Sequence, residues 1–227
     1  MKRINFNQNY FENIDNEHKA YHLGFIMADG CLSKSRNKLC IKIHKKDIEV
    51  LRNFSECIEF EGNIWRSDTY RSDMREIGLS SSKMKEDLIK LGVHPSKTFT
   101  LEFPKFKDKS LYRHFIRGYF DGDGCIRIKE ESRKNRIGHK RGDVRIISGS
   151  ISFINDMNRF LNKEVGVNLN KPYGPKTYKY IGWSGYKDIE LLYEYLYKDS
   201  NFFLTRKQQT FKEAYNISKT KNKYRKK

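Results

Sequence analysis

Two copies of one short motif constrain the fold of this chain more than any other feature. Residues 21–33 read YHLGFIMADGCLS and residues 115–127 read FIRGYFDGDGCIR, which places Asp29 and Asp123 94 residues apart. Each copy closes an apolar run with helical spacing, and a glycine after such a run is typical of a helix end. The 227 residues suffice for one sizeable core or for two small domains that share an interface, so the length allows a duplicated architecture.

A wider repeat surrounds the motif. Asp15 is a plausible N-cap for the first motif helix, and the segments after it alternate between period-two and period-three-to-four hydrophobic patterns. Each half is predicted to run α-β-β-α-β-β-α, which makes the fold α+β, with two pseudo-symmetric halves that each form a curved antiparallel sheet backed by helices. The predicted domains are residues 1–98 (first repeat), 99–110 (linker), 111–217 (second repeat) and 218–227 (a mobile basic tail).

Matching residues support the repeat. Ile41-Lys42-Ile43 aligns with Val144-Arg145-Ile146, and residues 77–80 align with residues 181–184. Most of the length difference falls in residues 130–142, which predict a longer and more basic hairpin tip in the second half.

Small residues lie one turn apart in each motif helix, at Gly24 and Ala28 and again at Gly118 and Gly122. This spacing predicts that the two motif helices pack against each other as a pseudo-two-fold interface within a monomer. Asp29 and Asp123 would then lie close together at the negative ends of two helix dipoles, where a hard divalent cation such as Mg²⁺ compensates them. The alternative is that each Asp-Gly is only a helix stop and turn.

The charge of the chain predicts a polyanionic partner. The net charge is +18 and the sequence pI is about 9.7, while an aromatic content of 14% indicates a folded protein. Nucleic acid is favoured over an anionic membrane because no basic amphipathic helix stands out. Neither a membrane span nor a secretion signal is recognisable, so an intracellular location, cytoplasmic or organellar, is expected. Cys31, Cys40, Cys57 and Cys125 show no zinc spacing and are expected to be reduced and buried.

Strand parity predicts a DNA-binding face. The apolar residues of the first hairpins should face the helices: Leu32, Leu39, Ile41, Ile43, Ile126, Ile128, Val144 and Ile146. Alternation then sends these polar residues to the other face: Ser33, Cys40, Lys42, His44, Arg127, Lys129 and Arg145. Arg66 is a further candidate DNA contact, although its strand lacks a clean alternation. Ordinary solvated strand charges remain the alternative.

The motifs HLGFIMADG (22–30) and IRGYFDGDG (116–124) resemble the signature of the LAGLIDADG homing endonucleases. The resemblance extends over nearly the whole chain, from FENIDNEHKAYHLGFIMADGCL to LYKDSNFFLTRKQQTF, and the departures fall at His22, Leu23, Met27, Ile116 and Arg117. It implies a monomeric, site-specific endonuclease that makes double-strand breaks in a long, asymmetric double-stranded DNA target. It also implies dependence on Mg²⁺, for which Mn²⁺ would substitute.

The resemblance implies roles for particular residues. The last acidic residue of each motif, Asp29 and Asp123, would bind the metal together with the carbonyls of Ala28 and Gly122. Lys97 and Lys207 are the candidate basic residues that line the catalytic site, although each could be a solvated lysine after a helix. The same scaffold also occurs in RNA-splicing maturases and DNA-binding regulators, and RNA would then be a partner. The two aspartates favour the enzyme.

Overall fold

The computed structural model describes residues 4–67, 73–131 and 139–225, and the chain divides into two compact units, Met1–Gly122 and Asp123–Lys227. The predicted linker, residues 99–110, lies inside the first unit because the second motif helix packs there. A packing unit and a sequence repeat need not coincide, so the predicted repeat boundaries stay a prediction.

The first unit is a four-stranded antiparallel sheet with helices on one face. Its elements are α1 (Glu17–Asp29), β1 (Gly30–Leu32), β2 (Lys38–His44), α2 (Ile48–Cys57), β3 (Trp65–Arg66), β4 (Met74–Ser80), α3 (Ser82–Lys90) and α4 (Leu111–Asp123), of which Asp123 begins the second unit. The strand order is β1-β2-β4-β3. The predicted apolar face is confirmed here, since Leu32, Leu39, Ile41 and Ile43 are all buried.

Helix α1 is enclosed on all sides, because its residues 20–27 are all buried. Its N-cap is Asn16, whose Oδ1 accepts a hydrogen bond from the Lys19 amide at 3.0 Å. The predicted cap, Asp15, instead accepts a hydrogen bond from the Lys19 ammonium at 3.0 Å. Asp and Asn are equally good caps, so adjacent candidates are separated only by backbone geometry. At the other end α1 passes into β1 without a loop, since Gly30 already has extended dihedrals.

The second unit has a three-stranded antiparallel sheet in the order β5-β6-β7, with helices packed against it. Its elements are β5 (Gly124–Glu131), β6 (His139–Ser148), α5 (Ile151–Phe160), β7 (Lys179–Trp183), α6 (Tyr186–Tyr197) and α7 (Thr205–Arg225). Val144 and Ile146 are buried as predicted, whereas Ile126 and Ile128 are half-buried.

Three details of the second unit differ from the sequence-based expectation. The first strand of its second hairpin is reduced to a single bridge between Tyr173 and Tyr180. Helix α7 continues to Arg225, so most of the predicted tail, residues 218–227, is helical. In the longer hairpin, residues 130, 131 and 139–142 are paired strand that belongs to β5 and β6, and the tip at residues 132–138 lies outside the described residues.

The strand registers correct the alignment of the two halves. In the first sheet Ile41 pairs with Gly30 on one side and Ile77 on the other, and in the second sheet Ile146 pairs with Gly124 and Ile181. Gly30 and Gly124 both follow the motif aspartate, so Ile41 and Ile146 are structural counterparts.

The predicted match between Lys42 and Arg145 is therefore wrong by two residues. The counterpart of Arg145 is Cys40, because each pairs with the matching glycine of the next strand, Gly182 and Gly78. A shift of two residues keeps every side chain on its own face, so the hydrophobic pattern could not reveal the error.

Candidate active site and nucleic-acid surface

Helices α1 and α4 cross with their backbones in contact. A β-carbon placed at Gly24 would overlap the carbonyl oxygen of Phe115 and lie 2.8 Å from the Tyr119 amide nitrogen. A β-carbon at Gly118 would overlap the carbonyl oxygen of Tyr21 in the same way. Phe115 and Tyr21 occupy matching positions in the two motifs, so the crossing has pseudo-two-fold symmetry. The prediction that small residues let the motif helices pack together is confirmed.

Polar side chains are also buried at this crossing. The Tyr21 hydroxyl donates to Oδ2 of buried Asp121 at 2.7 Å, and the fully buried Arg117 places its guanidinium 5.6 Å from the centre of the Tyr21 ring. Arg117 also contacts Nδ1 of His114 at 2.9 Å. Burial, with the nearby Arg117 charge, lowers the pKa of His114 to about 4. The departure at Arg117 therefore belongs to the helix interface.

Both motif aspartates close their helices. Asp29 is exposed at the end of α1, and Asp123 is half-buried at the end of α4. Neither helix has a basic residue in its last turn. A β-carbon at Gly122, the residue before Asp123, would lie 3.3 Å from Oδ2 of Asp29. The negative helix end and the exposed carboxylate of Asp29 favour a cation there.

The two predicted lysines make the same contact, each with its own motif. Lys97 Nζ donates to the carbonyl oxygen of Gly30 at 2.6 Å and lies 3.4 Å from that of Ala28. Lys207 Nζ donates to the carbonyl oxygen of Gly124 at 2.7 Å, and this side chain is only 6% exposed. Gly30 and Gly124 are counterparts, so each lysine is held at the residue that follows the motif aspartate. Solvated lysines would show no such correspondence.

The donor set fits a hard cation that keeps part of its hydration shell. In the described parts of the chain, no group of three or more His, Cys, Asp or Glu side chains could hold a metal ion. At its helix end each motif offers one carboxylate, Asp29 or Asp123, and backbone carbonyls, all of them oxygen donors. Mg²⁺ suits such a set, because it commonly takes one or two carboxylates and completes its shell with water and substrate phosphate.

The face of the first sheet that points away from the helices is called the outer face here. A row of three paired residues crosses it, Lys42 on β2, Glu76 on β4 and Trp65 on β3. Trp65 is 44% exposed. Ser33 and His44 also accept backbone hydrogen bonds, from Arg36 and Lys46 respectively, so each fixes a turn next to this face.

Arg66 does not join this row. It pairs with Arg75, which in turn pairs with the buried Ile43, so the register places Arg66 on the helix-facing side of the sheet, at an edge where it is exposed. The strand β3 has only two residues, which is too short for alternation to assign a face from the sequence.

The outer face of the second sheet carries Arg127, Lys129 and Arg145 around one acid, Asp143. Oδ2 of Asp143 lies 2.8 Å from Arg127 Nε, 2.9 Å from Lys129 Nζ and 3.1 Å from Arg145 Nη2. The guanidinium of Arg145 also lies 5.9 Å from the centre of the Tyr173 ring. The residues predicted from the sequence did not include Asp143, Tyr173, Trp65 and Glu76. Strand parity could have identified Asp143, because residues two apart in a strand lie on the same face and Arg145 was predicted for the outer face.

The cysteines are all free thiols, but they are less buried than expected. Cys31 and Cys125 are exposed, and Cys40 and Cys57 are half-buried. Cys31 and Cys40 are cross-strand partners on the outer face. The prediction of buried cysteines is wrong because alternation places Cys31, Cys40 and Cys125 opposite the core. Burial, with the neighbouring Glu76, raises the pKa of Cys40 to about 12.

Comparisons with known proteins agree with this architecture. A family model described as a LAGLIDADG-like domain matches residues 110–194. No curated protein sequence matches this one. Among the helices that the structure describes, none combines the length and apolar character that a bilayer crossing needs.

Several solved structures are similar over nearly the whole chain. LAGLIDADG meganuclease I-AabMI bound to uncleaved DNA is 15% identical with a TM-score of 0.62, and the match covers 91% of this chain and 92% of that chain. LAGLIDADG homing endonuclease I-GzeII in complex with its DNA target is 12% identical with a TM-score of 0.63, over 93% and 92% of the two chains. I-SmaMI bound to uncleaved DNA in the presence of calcium ions is 13% identical with a TM-score of 0.58, over 92% and 93%. At these identities the likeness establishes the fold.

Proposed function

We propose that this chain, whose residues 110–194 match a LAGLIDADG-like domain, is a site-specific endonuclease that makes metal-dependent double-strand breaks in a long, asymmetric DNA target. One observation carries the proposal. Each motif aspartate is followed by a glycine whose carbonyl holds a lysine, Lys97 at Gly30 and Lys207 at Gly124. Two matching sets of one carboxylate and one ammonium suit the hydrolysis of two phosphodiester bonds, one in each strand.

The carboxylates of Asp29 and Asp123 would hold Mg²⁺, assisted by the carbonyls of Ala28 and Gly122. When bound, Mg²⁺ lowers the pKa of its water and neutralises charge on the phosphate oxygens. Mn²⁺ would substitute, because it accepts the same oxygen donors. The solved structure of I-SmaMI with calcium ions supports a divalent cation on this scaffold.

The lysines contribute a fixed positive charge. The Lys207 ammonium is buried and bonded to a carbonyl, so it needs no reorientation when negative charge develops on the phosphate. Lys97 is half-buried and lies near two carbonyls.

The two outer faces supply the DNA contacts, with Ser33, Lys42 and His44 on the first sheet and Arg127, Lys129 and Arg145 on the second. Antiparallel strands of this kind fit the major groove, where each base pair presents a distinct set of donors and acceptors. The two faces differ in sequence, because Arg145 has Cys40 as its counterpart. We therefore expect an asymmetric target, which a monomer with two motifs can read without a second copy.

Cleavage of a randomised duplex library tests the proposal. The unaltered protein should cut both strands at one site with Mg²⁺ or Mn²⁺ and bind without cutting in Ca²⁺. Asp29→Asn and Asp123→Asn should each reduce the product to nicks or abolish it. Asp156→Asn removes the same charge from a half-buried residue on α5, where Asp156 forms an ion pair with Arg159, and should cut normally.

A library that is bound tightly and never cut in Mg²⁺ or Mn²⁺ would refute the endonuclease. That result would assign the scaffold to DNA regulation or RNA splicing. Normal cutting of both strands by either motif variant would refute the assigned carboxylates.

A further inference from the structure

We infer that Asp143 is a specificity-determining residue that fixes Arg127 to read a guanine in the major groove. The inference rests on the proposed function only in taking the outer face of the second sheet as a DNA-binding surface. The group formed by Asp143, Arg127, Lys129 and Arg145 is called the Asp143 cluster. Its parts lie on two adjacent strands within the second unit.

The position of Asp143 follows from the strand register. It is the direct cross-strand partner of Arg127, it lies two residues before Arg145 on the same strand, and it is diagonal to Lys129. All three cations converge on the same oxygen, Oδ2. The residue is 8% exposed although it belongs to the outer face, because the three basic side chains cover it. Hydrogen bonds from Lys129 and Arg127 hold the pKa of Asp143 below its usual range, against the opposing effect of burial.

This arrangement differs from an ordinary surface ion pair. A single carboxylate needs one cation for charge balance, and here it orients three. The side chains become progressively more exposed from Arg145 at 27% to Lys129 at 36% and Arg127 at 48%. Arg145 is the least exposed of the three, and its guanidinium also lies over the Tyr173 ring, so it packs at the base of the cluster, next to the sheet. Arg127 is the outermost of the three.

The atom by which Arg127 is held decides what it can do. The bond to Asp143 uses Nε, which leaves the two terminal Nη groups to donate outward. Those two groups form the planar fork that matches O6 and N7 of guanine. An arginine already fixed in its binding rotamer loses little conformational entropy when it binds, so it discriminates bases more sharply than a free one.

The counterpart in the first sheet has the opposite charge. The registers place Lys38 at the position of Asp143, since each lies two residues before the counterparts Cys40 and Arg145. Lys38 extends over Gly78, where a β-carbon would lie 2.8 Å from its Cε. The first sheet therefore has no acid that could fix an arginine at this position. We expect the guanine preference in one half of the target only.

Binding selection from a randomised duplex pool in Ca²⁺, without cleavage, tests the inference. The unaltered protein should select one guanine at a fixed position in the half-site of the second sheet. Asp143→Asn should reduce the preference for that guanine about tenfold, which is a common size for a bidentate arginine contact. Its affinity for a scrambled duplex should stay equal or rise, because a negative charge is lost. Asp156→Asn is the matched charge control and should keep the preference.

A second variant guards against a folding defect in Asp143→Asn. Arg127→Met removes the guanidinium fork but keeps an unbranched side chain, so it should lose the guanine preference. Replacing the selected guanine with 7-deazaguanine removes the N7 acceptor, so it should weaken binding by the unaltered protein and should not weaken binding by Arg127→Met further.

An unchanged guanine preference in folded Asp143→Asn would overturn the inference and leave Asp143 a structural ion-pair residue. Because the readout is binding, the result is independent of cleavage. A protein that never cuts but shows these effects would contradict the proposed function and support this inference. A protein that cuts but keeps its guanine preference in Asp143→Asn would support the proposed function and contradict this inference.

Discussion

Replacing Gly24 with alanine should destabilise the protein by about 2–3 kcal/mol, although alanine is the better helix former. The new methyl group would overlap the Phe115 carbonyl oxygen and lie 2.8 Å from the Tyr119 amide nitrogen, and both atoms belong to the backbone of α4. Backbone cannot rotate away as a side chain can, so the helices must separate by roughly 1 Å. Overpacking of this kind costs about 1–3 kcal/mol, and loss of the close contacts along the crossing adds to it. The gain in helix propensity offsets at most about 1 kcal/mol.

The pseudo-symmetry of the crossing gives a sharper expectation. Gly118→Ala meets the Tyr21 backbone in the same geometry, so its cost should match that of Gly24→Ala. Both methyl groups separate the same two helices. Once one substitution has separated the helices, the second methyl group overlaps less with the facing backbone. The double variant should therefore lose less free energy of unfolding than the two single variants together, by at least about 1 kcal/mol.

Urea unfolding followed by far-ultraviolet circular dichroism measures these free energies. Gly185→Ala is the control, because its φ of −69° suits alanine and its nearest neighbour is the side-chain oxygen of Asp188 at 3.1 Å. It should cost at most about 1 kcal/mol. A Gly24→Ala protein within about 0.5 kcal/mol of the unaltered one would refute the close crossing. Strict additivity in the double variant would refute a single shared interface.

Three further perturbations probe other parts of the structure. Burial, with the nearby His18, lowers the pKa of His22 to about 3, so its contribution to stability is present above pH 6.5 and is lost as the pH falls toward 3. Because of His22, the free energy of unfolding should therefore fall by about 1.4 kcal/mol per pH unit below pH 6.5. Urea titrations at pH 7 and pH 5 should show a smaller fall for His22→Gln than for the unaltered protein. Lys207→Met should slow cleavage in Mg²⁺ about 100-fold and leave the Kd for the target in Ca²⁺ within about threefold. Equal losses in cleavage rate and in binding affinity would show that Lys207 only binds DNA. Cys31 and Cys125 are exposed, so they should react with a thiol reagent before Cys57, whose pKa is raised by burial. Bound target DNA should slow the reactions of Cys31 and Cys125. Mass spectrometry of the labelled peptides gives the order in which the cysteines react.

The sequence was sufficient to predict the features that a local motif encodes. Asp29 and Asp123 were recognisable because Asp-Gly followed an apolar helix twice, and the glycines four residues apart predicted the crossing. Lys97 and Lys207 were candidates because the resemblance implies one basic residue beside each motif. In each case a short segment carries both the residue and its context.

The features that were missed depend on register. The alignment of Lys42 with Arg145 as counterparts in the two repeats was wrong, because a strand shifted by two residues keeps the same inward and outward pattern. Asp143 could not be recognised as the centre of a cluster until Arg127 was placed opposite it. Arg66 lies on a strand too short to show alternation.

Each motif helix passes into its strand without an intervening loop, and this junction limits how the target can change in evolution. Asp29, the lysine-bound Gly30 and the outward-facing Cys31 are consecutive, as are Asp123, Gly124 and Cys125. A substitution that alters base reading at the start of a strand therefore shifts the carboxylate beside it. Toward the far ends of the hairpins that constraint weakens, so new target preferences should accumulate at the outer base pairs of the site, while the central base pairs stay fixed. Retargeting by directed evolution should follow the same gradient.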